Sequence, residues 1–288
     1  MAIDAVLDLL RCPVCGAELQ RREATVGCPR GHRFDLARQG HLNLLRSAPP
    51  ANADTAEMVA ARLRFLDAGH YRPILEAVAE YLDPAGGQRW IEPGAGPGWY
   101  LSRLLADHPD AVALAGDVSV AAARRAAKAG DRIGAVVFDT WGDWPVADAS
   151  ADLVLVIFAP RHAAEFARVL RPGGRVIVVT PNADHLSALR QRHGLLEVAE
   201  AKLDRIAADL GADFDPVGRG EVRADLSLSG AEVADLIAMG PNAFHGAAKN
   251  HGAANDHGPA KNHGAATDPA PIETVLSVTV SCWVRREP

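Results

Sequence analysis

Three of the four cysteines in this 288-residue chain fall within its first 28 positions, at the spacing of a metal site. Cys12 and Cys15 form a C-x2-C pair, and Cys28 and His32 form a C-x3-H pair after a 12-residue spacer. Each pair brings two ligands to one side of a tight turn, where Gly16 and Gly31 relax the backbone. Three thiolates and one imidazole suit tetrahedral Zn²⁺ in a closed, structural site. His41 is an alternative fourth ligand, although the C-x3-H spacing favours His32. Without a metal, the same residues read as free buried cysteines beside a surface histidine. The first residues lack a basic segment followed by an unbroken apolar run, so no secretory signal is expected. Reduced thiols, rather than disulfides, follow from that.

A second chemical centre is the stretch W-I-E-P-G-A-G-P-G-W-Y, residues 90–100. Gly94, Gly96 and Gly98 stand in a turn between a strand and a helix. Missing β-carbons let a ligand lie against the backbone there, and the helix N-terminus offers free N–H groups. Dinucleotide domains use G-x-G-x-x-G at this place. Here the pattern is E-x-G-x-G-x-G, with Glu92 at the end of the strand itself. Asp117 ends the next apolar run, A-L-A-G-D, and Asp139 ends the one after, A-V-V-F-D, with Thr140 following. Acids at the carboxyl ends of successive strands lie where doubly wound sheets bind ligands. For any one of them alone, a helix cap or turn acid is the plainer reading. A fourth strand ends F-A-P-R, offering Phe158, Pro160 and Arg161. Phe158 could lie against a planar ring or belong to the core. A fifth strand ends T-P-N-A-D-H-L, where His185 is either a site group or the start of a helix.

The elements that position these residues follow from the hydrophobic pattern. From residue 88, continuous apolar runs alternate with helices of about ten residues, the pattern of a parallel sheet covered on both faces. E-V-R-A-D-L-S-L-S and I-E-T-V-L-S-V-T-V-S-C-W-V then alternate as an antiparallel pair. The expected fold is α/β: a doubly wound, Rossmann-like sheet with an antiparallel C-terminal edge, plus a small N-terminal zinc ribbon. The expected domains are residues 1–46 (ribbon), 47–87 (linker and helical connector) and 88–288 (doubly wound domain). In the connector, Gly69 and Pro73 split the helical periodicity and put G-H-Y, ending at Tyr71, at a bend. Residues 245–268 are a fourfold six-residue repeat beginning H-G-A-A-K-N. It is too poor in large apolar residues to pack and reads as a flexible loop, with weak metal binding by its four histidines as the other option.

Composition narrows the class. The chain is 48% apolar and 23% charged, ample for a large core, and has no apolar run of about 18 residues, so no spanning helix is expected. A soluble, cytoplasmic protein is expected. Net charge is −6, yet Arg11 to Arg46 holds seven arginines against Glu18, Glu23 and Asp35. A basic ribbon on an acidic body points to a polyanion held on one face, or simply to a solvated surface.

The E-x-G-x-G-x-G turn with its acids resembles the S-adenosylmethionine loop of doubly wound methyltransferases. The resemblance implies that Glu92 supports the methionyl end of the cofactor and that Asp117 takes both ribose hydroxyls. It also places Asp139 by the adenine amino group, with Thr140 alongside. The ordered set of C-x2-C…C-x3-H, FDLARQGHLNLL, AEMVAAR…FLDAGHY, the glycine turn, FAPR, LRPGG, VTPNADHL and AMGP goes further. It resembles the guanine-N1 methyltransferases of 23S ribosomal RNA, with details closest to the actinobacterial branch that gives resistance to tylosin-type macrolides. That likeness implies a target guanine in an RNA hairpin lining the peptide exit tunnel, a ribbon that recognises RNA, and a dimer. It implies cofactor contacts from Tyr71, Gly96, Pro97 and His185, and target placement by FAPR, with Arg161 steering a phosphate or base edge. It names no general base. Two prolines in the glycine turn and the His-Gly-Ala repeat after AMGP depart from the family pattern. A relative turned to a small molecule or peptide would keep the same cofactor motifs, and is the alternative.

Overall fold

The computed structural model describes residues 2–83, 88–196, 202–240 and 270–287; the repeat at 245–268 lies outside them. Two short 3-10 turns open the chain. The hairpin strands β1 (Gln20–Arg22), β2 (Thr25–Gly27) and β3 (Arg33–Asp35) follow and form a three-stranded antiparallel sheet. β4 (Leu42–Asn43) leaves that sheet and pairs in parallel with a strand of the main one.

Helices α1 (Ala56–Asp67) and α2 (Arg72–Ala79) come next, broken at Gly69 as the sequence implies. The alternating core then runs β5 (Arg89–Pro93), α3 (Trp99–Leu104), β6 (Val112–Asp117), α4 (Val120–Ala126), β7 (Ile133–Val137), β8 (Ala151–Ile157), α5 (Ala163–Val169) and β9 (Leu170–Pro181). It ends with α6 (Ser187–His193), α7 (Lys202–Leu210), β10 (Phe214–Leu228), α8 (Gly230–Ala238) and β11 (Ile272–Arg285).

The main sheet has eight strands in the order β10-β11-β9-β8-β5-β6-β7-β4. β4 to β9 are parallel, while β11 pairs antiparallel with both β9 and β10, giving the expected antiparallel edge. Strand order reverses between β5 and β8, which opens a crevice at their carboxyl ends. The central parallel strands are almost continuously apolar within the sheet, as strands covered on both faces must be. One face packs against α1, α2, α3 and α8, through Phe65, Ile74, Leu101 and Val233 among others. The other packs against α5, α7 and the ribbon, through Phe166, Leu210, Leu9 and Leu42.

The ribbon is therefore joined to the main sheet by more than a linker. Leu42 and Asn43 extend the sheet beside Val136 and Val137. Val6 packs so closely on β7 that a β-carbon at Gly134 would meet its side chain at 2.1 Å. Arg11 N–H donates to Pro145 O at 2.9 Å, and Ala147 N–H to Leu9 O at 2.8 Å. Nothing in the spacing of the cysteines announces this seam. It is decided by pairing between positions about 90 residues apart.

Among the described residues, no helix is long and apolar enough to cross a membrane.

Candidate functional site

The zinc ligands converge as their spacing implies. The ligand atoms of Cys12, Cys15, Cys28 and His32 all lie within 4.8 Å of one another. Cys15 Sγ is 3.7 Å from Cys28 Sγ, and His32 Nδ1 is 3.5 Å from Cys12 Sγ and 3.3 Å from Cys28 Sγ. A tetrahedron with Zn–S bonds of about 2.3 Å has edges of about 3.8 Å, so the donors fit Zn²⁺. Burial raises the Cys12 thiol, opposed by the amides of Val14 and Cys15. Desolvation also acts on Cys28, but amides of His32 and Arg30 and the His32 ring outweigh it and bring that thiol down to about 6. Such amide donors stabilise thiolate, the form that binds metal. His41 is buried elsewhere and is not part of this set, so His32 is the fourth ligand.

At the crevice, the chain from β5 turns sharply into α3. Gly94, Gly96 and Gly98 all have positive φ, at 71°, 55° and 74°. Gly96 also carries a second demand, since a β-carbon there would lie 3.0 Å from Arg62 Nη1. Gly98 serves differently from the other two. It is the N-cap of α3, and its missing β-carbon faces Ala126 and Ala129 at 3.3 Å, away from the cavity. Of the three glycines expected to touch a ligand, Gly98 is thus a packing position on the α4 side.

Two adjoining cavities share Arg62, Gly94 and Phe158. The smaller, of about 250 Å³, brings together Tyr71, Glu92, Gly96, Pro97 and His185. The larger, of about 500 Å³, holds Asp117, Asp139, Thr140 and Pro160. Arg161, one residue beyond, is half-buried and lines neither cavity.

Glu92 is 2% exposed, and its Oε2 has no hydrogen-bond partner. Burial first, and then the nearby Asp117, push its carboxyl well above the usual range. Tyr100 Oη, on the same cavity wall, is also buried without a partner. Orphaned polar atoms of this kind are costly unless a ligand answers them. Asp117 Oδ2 accepts from Gly96 N–H at 2.9 Å, and Oδ1 from Ser119 N–H at 2.8 Å. These bonds lock the glycine turn to β6 and leave each oxygen a further lone pair. Burial raises the Asp117 carboxyl despite those amides.

Tyr71 and His185 form the back wall, with Tyr71 Oη 3.4 Å from His185 Nε2. Ser277 N–H donates to His185 Nδ1 at 3.2 Å. In the neutral ring the proton must then sit on Nε2, which makes that atom a donor toward Tyr71. Phe158 packs on the His185 ring at 5.9 Å between centroids, is 41% exposed, and has φ of 54°. A bulky residue in the left-handed region is strained, and the Phe158 ring lies against Tyr71 and His185 where the two cavities meet.

Several site residues escape a reading of the sequence. Arg62, in the middle of α1, donates to Met239 O at 2.6 Å and pairs with Asp54 at 2.5 Å. It thereby ties the linker and the end of α8 across the glycine turn. Beside it, α8 is clasped to α1 by a two-pronged Arg64–Asp235 pair and to the turn after α1 by His70–Glu232 at 2.7 Å. Trp141, 68% exposed, stands at the rim of the larger cavity, its backbone N–H donating to Asp139 Oδ1 at 2.9 Å. The only sequence signal for Arg62 is a lone arginine within an apolar helix face.

Residues 10–49 match the RlmA N-terminal zinc-ribbon family, and residues 91–178 match a methyltransferase-domain family. The YcgJ protein of Bacillus subtilis has the same fold, with a TM-score of 0.50 and 17% identity over 76% of this chain and all of that one. Fold and site together define an S-adenosylmethionine-dependent methyltransferase with a structural zinc ribbon. A protein of Micromonospora griseorubida assigned as a 23S rRNA (guanine-N1)-methyltransferase is 46% identical, over 83% of this chain and 88% of its own. The 23S rRNA (guanine(748)-N1)-methyltransferase of Streptomyces fradiae is 42% identical, over 83% and 87%. The chain belongs to the 23S rRNA (guanine-N1)-methyltransferase family.

Proposed function

We propose that this enzyme methylates N1 of a guanine in a 23S rRNA hairpin that lines the peptide exit tunnel. The observation that carries this reading is the opening between the two cavities, where the exposed Phe158 ring offers a flat wall for a planar base. A base in a hairpin reaches such a pocket by leaving its stack.

When bound, the cofactor supplies an electrophilic sulfonium methyl. Glu92 and Tyr100, whose buried oxygens lack partners, would hold its ammonium group. Arg62, beside Gly96 and already paired with Asp54, would face its carboxylate. Asp117 would accept the ribose hydroxyls, and Asp139 and Thr140 would border the adenine. Tyr71, Gly94, Gly96, Pro97 and His185 shape the methionyl end. Phe158 and Pro160 stack and align the guanine. His185 positions Tyr71 and is not the base, because its Nε2 already carries the proton. The guanine N1 proton leaves to water through the open side, and holding nucleophile and methyl in line supplies most of the acceleration.

In this reading residues 1–46 recognise RNA, 47–87 connect, and 88–288 catalyse. The enzyme works as a homodimer in the cytoplasm, and the modification protects the ribosome from tylosin-type macrolides. The sequence likeness described above supports these assignments. The test is purified protein with S-adenosylmethionine and deproteinised 23S rRNA, followed by primer extension. A cofactor-dependent stop at one guanine is expected, since N1 methylation blocks pairing. Intact cofactor binding with no stop on folded RNA would overturn the reading in favour of a small-molecule or peptide substrate.

A further inference from the structure

A separate concavity, of about 450 Å³, lies between α1, α4 and the ribbon turn that leads into β4. Four cations, Arg64, Arg124, Arg125 and Lys128, face one carboxylate, Asp67. Two of these five groups are already satisfied. Arg64 is held by Asp235, and Asp67 accepts from Arg103 at 2.7 Å and from Trp99 Nε1 at 2.9 Å. Arg124, Arg125 and Lys128 are exposed and have no carboxylate partner among the described residues. On a chain of net charge −6 this is a local excess of positive charge.

Arg124 and Arg125 sit in the last turn of α4 and Lys128 in the turn just beyond it, so like charges crowd one end of the helix. Cations at a helix C-terminus offset part of that through the dipole. The dipole does not account for the far wall. There the ribbon contributes Gln39 to the lining, and Gly40 abuts α4, where an added β-carbon would sit 3.8 Å from Ala127 Cβ. Arg38, exposed and without a partner among the described residues, belongs to the same turn. Arg124 is close enough to buried His41 that, after burial itself, its charge helps keep that imidazole below its ordinary value. Tertiary packing thus joins ribbon charge and α4 charge, which are some 85 residues apart in sequence. The concavity also starts where the cofactor cleft stops. Asp54 and Val118 line the cleft, while Ala56 and Ala121 line the concavity, and Ser119 Oγ donates to Asp54 O at 2.6 Å between them.

We propose that this seam of α4 and the ribbon turn docks the phosphate backbone of the RNA substrate outside the modified nucleotide, with Arg124, Arg125 and Lys128 as the phosphate contacts. The proposal rests on RNA being the substrate. It requires a fixed, non-sequence-specific grip that sets the approach of the hairpin to the cleft.

The test compares wild type with R124Q/R125Q/K128Q in binding of the 23S rRNA hairpin across a salt series. Each phosphate contact contributes roughly 0.7–0.9 to the slope of log affinity against log salt. The triple variant should lose about 2–3 from that slope and bind roughly a hundredfold more weakly near 0.1 M salt. Its KM for RNA should rise in step, while kcat and cofactor affinity hold, and R124K/R125K should restore the wild-type slope. A triple variant with unchanged slope and affinity overturns the proposal. So does a loss that is equal at every salt concentration, or one seen with polyglutamate in place of RNA, which would make the seam a protein-docking surface. Failure of wild type itself to bind or methylate the RNA would instead bring down the functional reading, and this proposal with it.

Discussion

The zinc cluster and the cofactor cleft are built in opposite ways. All four metal ligands come from one stretch, Cys12 to His32, and meet through two local turns. The cleft draws on the linker, α1, the glycine turn, β6, the end of β8, the loop after β9 and the end of α8. Local spacing is enough to define the first, while the second exists only once the sheet has formed. The metal site is nevertheless not energetically local, because the ribbon it stabilises also supplies β4 to the main sheet.

That last point is the easiest to break. Removing zinc with a chelator, or Cys28→Ser, should unfold the ribbon, since structural zinc contributes on the order of 10 kcal/mol of binding free energy to such modules. The melting temperature of the catalytic sheet should fall by several degrees at the same time, as β4 and the Val6 contact are lost. Calorimetry with the ribbon melted and the main transition unmoved would show two independent regions and end the comparison.

Within the cleft, Asp117→Ala should have the next largest effect. It strands the amides of Gly96 and Ser119 as well as removing the proposed ribose acceptor, a cost of about 2–3 kcal/mol. Cofactor affinity should drop by roughly 50- to 100-fold in titration calorimetry, with the zinc content unchanged. Arg62→Met should be milder, at about tenfold, because only its charge-assisted contacts go. An Arg62→Met protein with wild-type cofactor affinity would make the arginine purely a clasp.

The smallest effect concerns the α1–α8 clasp. Glu232 caps α8 through Ser229 and pairs with His70, and these contacts, in that order, hold its carboxyl down at about 2. A depressed carboxyl stabilises the fold above its unfolded value of about 4.3, and the gain disappears as pH falls from there through about 2. Urea unfolding should find Glu232→Gln about 1 kcal/mol less stable than wild type at pH 6, with the gap narrowing as pH falls toward and through about 2. A difference that does not narrow would assign the effect to packing.

Much of this molecule can be read from order and spacing. The alternation of apolar runs and helices predicts β5 to β9, and the period-two pattern predicts the β10–β11 pair. Glu92, Asp117 and Asp139 do fall at strand ends, because a strand that leaves an apolar core must end on a residue able to face solvent or a ligand. What spacing could not reveal is direction. Gly98 looks equivalent to Gly96 in the turn, yet its bare side faces α4. Arg161 follows Pro160 directly but lies outside both cavities, while Arg62, some 30 residues before the glycine turn, lies over it.

The sequence by itself determined the zinc ligands, the fold class and the strand-end acids, since each rests on short-range geometry: turns, alternation and chain reversal. Tertiary structure alone decided that β4 joins the sheet, that Arg62 spans the cleft, and that the basic ribbon turn meets α4. Those outcomes depend on which surfaces meet across roughly 85 to 180 residues of chain, and hydrophobic burial carries no address in the local pattern.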